Sequence, residues 1–351
     1  NITKIKKIMK KSILLFMGVF ALAFSTKAQD NFENILLAEK ADSQKLLQAY
    51  FAPGMEGLIN GMTNGWYHTA KVHSPLGFDV SFGINAASVP SERELFNIAS
   101  LGLSNNITST STTASTFAGP NETTDFTVRT TVDGNNVTAN FATPGGVTGD
   151  LPLNAVPAPI LQVSVGLPGD FEAMVRFIPS IGFGEDDGSA NMFGIGLKKE
   201  ITNWFGPLDK LPLHVSLLAA YTKMDVGYDI NVDNANLTVT NGLTEFELSS
   251  FTVQAIGSLN FPIINVYGGF GYSSGSSKLN ISGQYVGKFT DETTQQTRTK
   301  TLDVPSDFNF ESNGFRTTAG LRLSLGFFKI FGAYTLQEFN TFTLGAAISI
   351  R

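Results

Sequence analysis

The feature that most constrains this chain is a two-residue alternation of apolar and polar side chains, repeated in about ten segments after residue 77. In the first segment, 78–85, four apolar residues alternate with polar residues or glycine, and the last segment, 341–351, repeats the pattern. Successive side chains of a β-strand point to opposite faces, so this spacing predicts strands that each have one apolar face.

The alternation predicts ten strands, and a possible hairpin would raise the number to twelve. The ten strands are expected at 78–85, 160–167, 171–182, 191–200, 213–223, 249–260, 263–273, 313–325, 328–337 and 341–351. Two further alternating runs, 124–131 and 136–142, flank Asp133-Gly134, a pair of residues typical of tight hairpin turns. We favour ten strands, with the hairpin outside the wall.

Composition favours a barrel in a membrane over a soluble β-sandwich or a lipocalin-like barrel. Only 15 % of the residues are charged, against ~25 % in average soluble domains, and the outward positions are nearly all apolar. An open sheet edge in hydrocarbon would leave backbone groups unpaired, which closure prevents. The sequence therefore predicts an all-β fold, a transmembrane antiparallel β-barrel of about 10–12 strands with a short N-terminal helical segment.

The N-terminal residues have the pattern of a cleaved secretory signal peptide. Met9 is the expected start, and Lys10-Lys11, an apolar run over 13–24 and small residues up to Ala28 follow. The apolar run is shorter than the ~20 residues of a membrane-spanning helix, and a short buried helix is the alternative. We expect a signal peptide at 1–28, a helical plug or periplasmic segment at 29–70, and the barrel at 71–351.

Connection lengths predict which end of the barrel faces outward. Outer-membrane barrels have short periplasmic turns and long external loops, and long loops are expected here at 87–157, 224–248 and 274–312. The outer membrane is therefore the expected location. Its lipid and lipopolysaccharide, and the barrel-assembly machinery acting through the C-terminal strand, are the expected partners.

Net charge argues against a nucleic-acid partner. The whole chain carries a net charge of −6, and removing the six lysines of residues 1–28 brings it to about −12. Phosphate binding requires the opposite sign.

Several charged side chains fall on the inward face of the expected strands. The candidates for the lumen are Asp79, Glu172, Arg176, Lys198, Arg316, Arg322 and the terminal Arg351. One interpretation is a wall filling of ion pairs, because unpaired charges at low dielectric are costly. The other is a charged lining that selects a solute, as rings of side chains do in pores.

Enzymatic chemistry and cofactors are not expected. The chain has no cysteine and three histidines, His68, His73 and His214, and structural hydrogen bonding is the expected role of these histidines. Asp229, Asn231 and Asp233 imitate the start of a calcium loop, but the glycine and glutamate that such loops require are missing. We expect no metal and no cofactor.

Three segments resemble an uncharacterised family of Bacteroidota outer-membrane proteins. The resemblance rests on Leu46-Leu47, Tyr50, Gly65-Trp66-Tyr67, Thr69-Ala70-Lys71, Gly77-Phe78-Asp79, Gly166-Leu167-Pro168, Val175-Arg176-Phe177-Ile178-Pro179, Gly194-Ile195-Gly196 and Ala220-Tyr221-Thr222. More distantly, a helical segment before a barrel is similar to FadL-type transporters of hydrophobic compounds, although their barrels have fourteen strands.

Two functions from different classes remain open at this point. The FadL-type resemblance implies a barrel that passes or binds small molecules, hydrophobic ones among them, with the helices as a plug or gate. The alternative is a structural or surface-interaction barrel that transports nothing and meets a partner through its long loops. An outer-membrane hydrolase is a third and weaker alternative.

Overall fold

The computed structural model describes residues 32–149, 151, 154–183, 188–306 and 308–350. These comprise sixteen strands, one α-helix and four short 3-10 helices. The strands are β1 (Phe78–Ser88), β2 (Leu95–Asn97), β3 (Ile107–Thr108), β4 (Thr113–Ser115), β5 (Thr124–Val132), β6 (Asn135–Thr143), β7 (Ala155–Leu167), β8 (Phe171–Phe183), β9 (Gly188–Glu200), β10 (Leu213–Asp233), β11 (Leu237–Asn260), β12 (Ile264–Asp291), β13 (Thr297–Thr301), β14 (Phe308–Leu325), β15 (Phe328–Leu336) and β16 (Thr341–Ile350). The helix is α1 (Lys40–Met62), and the 3-10 helices are Phe32–Leu37, Ser91–Arg93, Ala99–Leu101 and Thr202–Lys210.

Ten of these strands form a closed antiparallel ring. Around the ring the order is β1, β7, β8, β9, β10, β11, β12, β14, β15 and β16, and β16 pairs with β1 from Phe78↔Ile350 to Ala87↔Thr341. The predicted fold class, with ten strands in the wall, is confirmed. Closure pairs the two strands that would otherwise be edges, so the backbone of the wall is hydrogen-bonded all round.

The predicted hairpin around Asp133-Gly134 forms but does not enter the wall. Strands β5 and β6 pair with each other over their whole length. Among the described wall strands, β6 pairs with β12 alone, at Thr290 and Asp291 near the far end of that strand. The hairpin therefore stands beyond the loop-side end of the ring, and the wall keeps ten strands.

The predicted loops 224–248 and 274–312 are wrong over most of their length, because strands continue through them. Strands β10 and β11 run on to a turn at 234–236, and β12 extends to Asp291. The alternation persists there, but the inward face becomes apolar and the outward face becomes polar. On β11 the lower inward residues are polar, such as Gln254, whereas Leu248 and Phe246 above them are buried and apolar and Glu247 faces solvent.

This exchange of faces divides the molecule into two levels. In the lower level the outward side chains are apolar and exposed; on β9, Phe193, Ile195 and Leu197 are each about half exposed, at 50 %, 52 % and 47 %. In the upper level the apolar side chains point inward and form the largest hydrophobic core of the protein, together with α1 and the loop after β1. The upper level is thus a water-facing extension of the barrel.

Helix α1 has a proline in its interior and is not broken by it. Helix α1 continues through Pro53 to Met62. Proline normally disrupts a helix interior, but here Tyr50, Phe51, Met55 and Leu58 are buried on both sides of it. This packing outweighs the local preference. No helix in the part of the chain that the structure describes is long and apolar enough to cross a membrane.

The N-terminal segment runs down the lumen from the loop side to the turn side. Leu37 packs beside Gly287 near the upper end of β12, and Ile59 packs beside Gly275 further down the same strand. Residues 63–77, here called the strap, then reach the turn end and lead into β1. The lumen is therefore occupied from its upper mouth to its lower one by this chain's own residues.

Among the described residues, the pairing of the wall is interrupted between β7 and β8. These strands pair only from Leu167↔Phe171 up to Gln162↔Arg176, although both continue upward. Pro157 and Pro159 lie in the unpaired part of β7, and proline has no backbone N–H to donate to a ladder. Above Gln162, β7 pairs with β1 alone within the described residues.

Candidate functional site

Two buried arginines of the wall hold the lower end of helix α1. Arg176 on β8 donates from Nη1 to the Met62 carbonyl and from Nη2 to the Asn64 carbonyl, both at 3.1 Å. Arg316 on β14 donates to the Thr63 carbonyl at 3.0 Å. The last carbonyls of a helix have no intrahelical donors and carry partial negative charge, so cations stabilise them.

Helix α1 approaches the wall closely through glycines on one of its faces. A Cβ at Gly57 would lie 2.7 Å from the Val156 side chain, and one at Gly61 would lie 2.8 Å from the Ala158 side chain. Such distances leave no room for a side chain. The helix is therefore seated against β7 in a single position, with Asn85 of β1 donating to the Gly61 carbonyl at 2.9 Å.

The strap lies against inward glycines of the wall. The Trp66 ring covers Gly194 and Gly196, where an added Cβ would come within 3.1 Å and 3.0 Å of it. The Arg176 guanidinium stacks over the same ring at 4.2 Å from its centre. Gly194 and Gly196 leave the room that the strap occupies, because a side chain at either position would displace Trp66.

Below Trp66, charged residues of the wall bind the strap. Lys198 and Glu172 form a buried ion pair at 2.7 Å. Glu172 also accepts from the backbone N–H of His73 at 3.0 Å and lies 2.8 Å from Nδ1 of its ring. The other ring nitrogen lies 3.5 Å from Asp79. Glu172 therefore binds both Lys198 of the wall and His73 of the strap, and Asp79 also faces His73.

The contacts of His68 fix its protonation state. Nη1 of Arg322 lies 3.0 Å from Nδ1 of His68, and arginine is only a donor, so Nδ1 accepts and carries no proton. Nε2 lies 3.2 Å from Asp79 and is the nitrogen that donates. His68 is thus held neutral between a cation and an anion, and its ring also stacks on Phe331.

A second charged cluster joins α1 to the turn between the short wall strands β15 and β16. Glu56 pairs with Arg93, whose other nitrogen lies 3.6 Å from Glu338 in the turn between β15 and β16. Burial raises the pKa of Glu56 to about 7, and the attraction of Arg93 only partly opposes it. Glu56 therefore takes up a proton near neutral pH in the folded protein.

The structure gathers the six predicted lumen residues around the helix end and the strap, and all six are buried. Four of them, Asp79, Glu172, Lys198 and Arg322, belong to the charge network around His68 and His73. Arg351 lies outside the described residues. A role for these residues in selecting a solute stays a prediction.

The expectation that acids and bases would pair along the wall is wrong for two arginines. Among the ion pairs of the described residues, none involves Arg176 or Arg316. Their partners are carbonyl and side-chain oxygens at and just beyond the end of α1 and, for Arg176, also the Gln162 side chain. The sequence alone did not show that the end of the helix lies beside these two arginines.

The three histidines all contact carboxylates. His214 lies 2.6 Å from Glu200, and Ser216 next to it donates to the Ala70 carbonyl of the strap at 2.5 Å. The described residues contain no group of three or more histidine, aspartate or glutamate side chains that could hold a metal ion. Asp229, Asn231 and Asp233 lie in β10.

Several solved barrels are similar in outline to this chain. One is the Yersinia pestis attachment invasion locus protein Ail in complex with sucrose octasulfate, 10 % identical with a TM-score of 0.26, covering 78 % of this chain and 99 % of Ail. The translocator domain of the Neisseria meningitidis autotransporter NalP is 10 % identical with a TM-score of 0.30, covering 80 % and 90 %. The Pseudomonas putida toluene transporter TodX is 7 % identical with a TM-score of 0.24, covering 84 % and 96 %.

Because these TM-scores lie below 0.5, none of the three likenesses supports a function for this chain. No curated protein matches the sequence. A family model covers nearly all of it, from residue 9 to residue 350. The chain belongs to the family described as "Family of unknown function (DUF6588)".

Proposed function

We propose that this protein is an outer-membrane barrel that its own N-terminal segment keeps closed, and that it acts at the cell surface through its upper level. The outer-membrane location is supported by the closed ring and its lower level of exposed apolar side chains. A bacterial barrel with short turns at one end places the other end outside the cell.

The observation that carries the closed state is the seating of α1. Its lower end is bound by Arg176 and Arg316, and its glycine face touches β7 without space between them. A ten-stranded barrel is narrow enough for side chains to fill, and here a helix fills it as well. A surface role follows, because much of the fold lies above the apolar level and faces water.

Electrical conductance in planar lipid bilayers tests the closed state. The full chain is expected to give no stable conductance steps, whereas a chain lacking residues 32–62 is expected to give them. Heat-modifiable migration on gels checks that the shortened chain still forms a barrel. Steady conductance by the full chain would reject a closed barrel.

The second candidate, passage of small hydrophobic molecules, is favoured by the interruption between β7 and β8. A FadL-type role would need a route past the plug. Such a route could leave through the wall at the stretch around Pro157 and Pro159, where β7 and β8 are not joined by backbone hydrogen bonds. The charged strap network would make the lower lumen unsuitable for such molecules.

Uptake of a small hydrophobic dye tests this second candidate. Cells that produce the chain are compared with cells that produce a Pro157→Val and Pro159→Val variant, which restores two backbone donors. A Pro90→Val variant, changed in a loop, serves as the control. Uptake that falls only in the double variant supports passage, and uptake equal to that of cells without the protein removes the candidate.

A further inference from the structure

A groove of about 770 Å³ crosses the outward face of the wall on the side of its shorter strands. Residues of β1, β12, β14, β15 and β16 line it. On β15 the residues Phe331 and Thr335 are buried inside the barrel, so Gly332 and Tyr334, which alternate with them, face outward. The volume falls in the range of ~300–1,000 Å³ that is usual for ligand sites.

Small residues form the floor of the groove. Gly332 of β15 lies between Leu321 and Leu344, its partners on the two neighbouring strands. The nearest neighbours of a Cβ at Gly332 would be the Thr343 carbonyl oxygen at 3.6 Å and a Leu344 methyl group at 4.0 Å. The space above this glycine is therefore open, and Ala319 of β14 extends the floor.

Larger side chains form the walls of the groove. Leu321 and Leu344 stand on either side of Gly332 and are 56 % and 63 % exposed. In the next row, Tyr334 and Phe342 are cross-strand partners, and their rings lie 4.6 Å apart between centres. The two rings hold each other in place, so this wall has a fixed shape.

The groove is supported from inside the barrel. The rings of Tyr267 and Phe331 lie over Gly320 and Gly345, where no Cβ would fit. The Tyr267 hydroxyl also donates to the Gly332 carbonyl at 3.3 Å. Because the inner side is filled, the floor cannot collapse inward, and the groove is present before anything enters it.

The chemistry of the lining suits a hydrocarbon chain. None of the described lining residues is charged, and the polar side chains among them are Tyr334 and Thr343. Thr343 uses its hydroxyl on Asn85 inside the barrel. A polar ligand would lose its hydrogen bonds to water here without replacement. The groove is also continuous with the lipid-facing surface of the lower level, because the adjoining outward residues Phe82 and Ile330 are apolar and exposed.

The height of the groove indicates which leaflet supplies the chain. Ile84 and Ala86 lie in the upper half of β1, and Phe342 and Leu344 lie near the upper end of β16. With the loop side outside the cell, as proposed above, this half of the wall faces the outer leaflet. The lipid of that leaflet is lipopolysaccharide.

We propose that this groove holds one acyl chain of a lipopolysaccharide molecule, an inference that rests on the proposed outer-membrane location. The chain lies on Gly332 and Ala319 between the leucine wall and the wall of Tyr334 and Phe342. Within a membrane, close packing rather than the hydrophobic effect drives such association. An acyl chain in the groove gains contacts on three sides, whereas one on a convex part of the wall gains them on one.

Native mass spectrometry of the full chain, released from nanodiscs of phospholipid and lipopolysaccharide, tests the proposal. The unchanged chain is expected to retain one lipopolysaccharide molecule, and Gly332→Leu, which fills the groove, is expected to retain several-fold less. Gly257→Leu is the control. It adds the same side chain at an outward glycine of β11 outside the groove, where a Cβ would meet only the His214 carbonyl oxygen at 3.9 Å.

Equal retention by the unchanged chain and Gly332→Leu, or no retention by either, overturns the proposal. Phospholipid retained in place of lipopolysaccharide also overturns it, and so does a dimer that Gly332→Leu dissociates, because the groove would then hold a second copy of the chain. If Gly332→Leu does not fold, Ala319→Leu replaces it under the same criteria.

A thermal measurement on the same samples gives a second readout. A ligand that binds only the folded state raises its unfolding temperature, so lipopolysaccharide should stabilise the unchanged chain and Gly257→Leu more than Gly332→Leu. Cell fractionation separates the two proposals. A chain absent from the outer membrane rejects both, whereas an outer-membrane barrel without retained lipopolysaccharide rejects the groove alone.

Discussion

At the scale of single residues, the lumen is organised by buried charges whose partners come from another part of the chain. Glu172 contacts both Lys198 and His73. His68 is neutral because the donor Arg322 faces one of its ring nitrogens and the acceptor Asp79 faces the other. Removing one member of such a group leaves another charge buried without compensation, which costs more than the pair contributes. Single and paired substitutions should therefore differ.

Replacing Lys198 tests this difference. Lys198→Met should lower the free energy of unfolding by ~3–5 kcal/mol, because it leaves Glu172 buried beside Asp79 without a cation. The double variant Lys198→Met, Glu172→Gln should recover part of that loss. Urea unfolding of the refolded protein in lipid vesicles measures both, and a double variant less stable than the sum of its parts would contradict the explanation.

Glu56 should make stability depend on pH. Its pKa is about 7 in the folded protein against an ordinary 4.5, so the folded state binds the proton more tightly and stability is lost as pH rises from about 4.5 to above 7. Relative to the unchanged chain, Glu56→Gln should therefore gain stability over this range. Unfolding temperatures at pH 4.5 and pH 8 measure the gain, and Glu245→Gln, at an exposed position, should show none.

At the scale of elements, α1 acts as a ligand of its own barrel. Its glycine face touches β7, its C-terminal carbonyls accept from two wall arginines, and its apolar side chains enter the core of the upper level. Helix propensity contributes little to this, since the helix contains Pro53 and three glycines. Tertiary packing keeps it helical.

A β-branched residue on the glycine face should unseat the helix. Gly57→Val places a side chain where Val156 already lies, and overpacking of this kind costs ~1–3 kcal/mol. Ala41→Val places the same β-branched residue at an exposed position of α1 and serves as the control, although it lowers helix propensity whereas Gly57→Val raises it. The unfolding temperature should fall for Gly57→Val and change little for Ala41→Val; a fall only in Ala41→Val would mean that propensity, not contact, decides.

At the scale of the whole molecule, the chain threads its own barrel from the loop side to the turn side before it builds the wall. The 3-10 helix Phe32–Leu37 lies at the upper mouth, and the strap reaches the lower one. The start of the described chain and the start of β1 are therefore at opposite ends of the lumen. In the orientation that we propose, with the loop side outside the cell, the upper end of α1 faces the exterior.

Cysteine labelling on intact cells tests this orientation, and the native sequence has no cysteine to interfere. Lys40→Cys, exposed at the upper end of α1, should react with a membrane-impermeant maleimide. Ser74→Cys, exposed in the strap, should react only after the outer membrane is permeabilised. The reverse pattern would invert the barrel, and labelling of both in intact cells would argue against a closed lumen.

The sequence by itself determined the fold class, the ten wall strands and the inward positions of the six charged candidates, because a two-residue period and a shortage of charge depend on local residue order and composition. Only the tertiary structure decided where the strands end, since the alternation continues past residue 223 and residue 273 with its faces exchanged. Which face of a strand is buried depends on what lies inside the barrel, and that is a helix from a distant part of the chain. For the same reason, the partners of Arg176 and Arg316 became visible only when the end of α1 was in place.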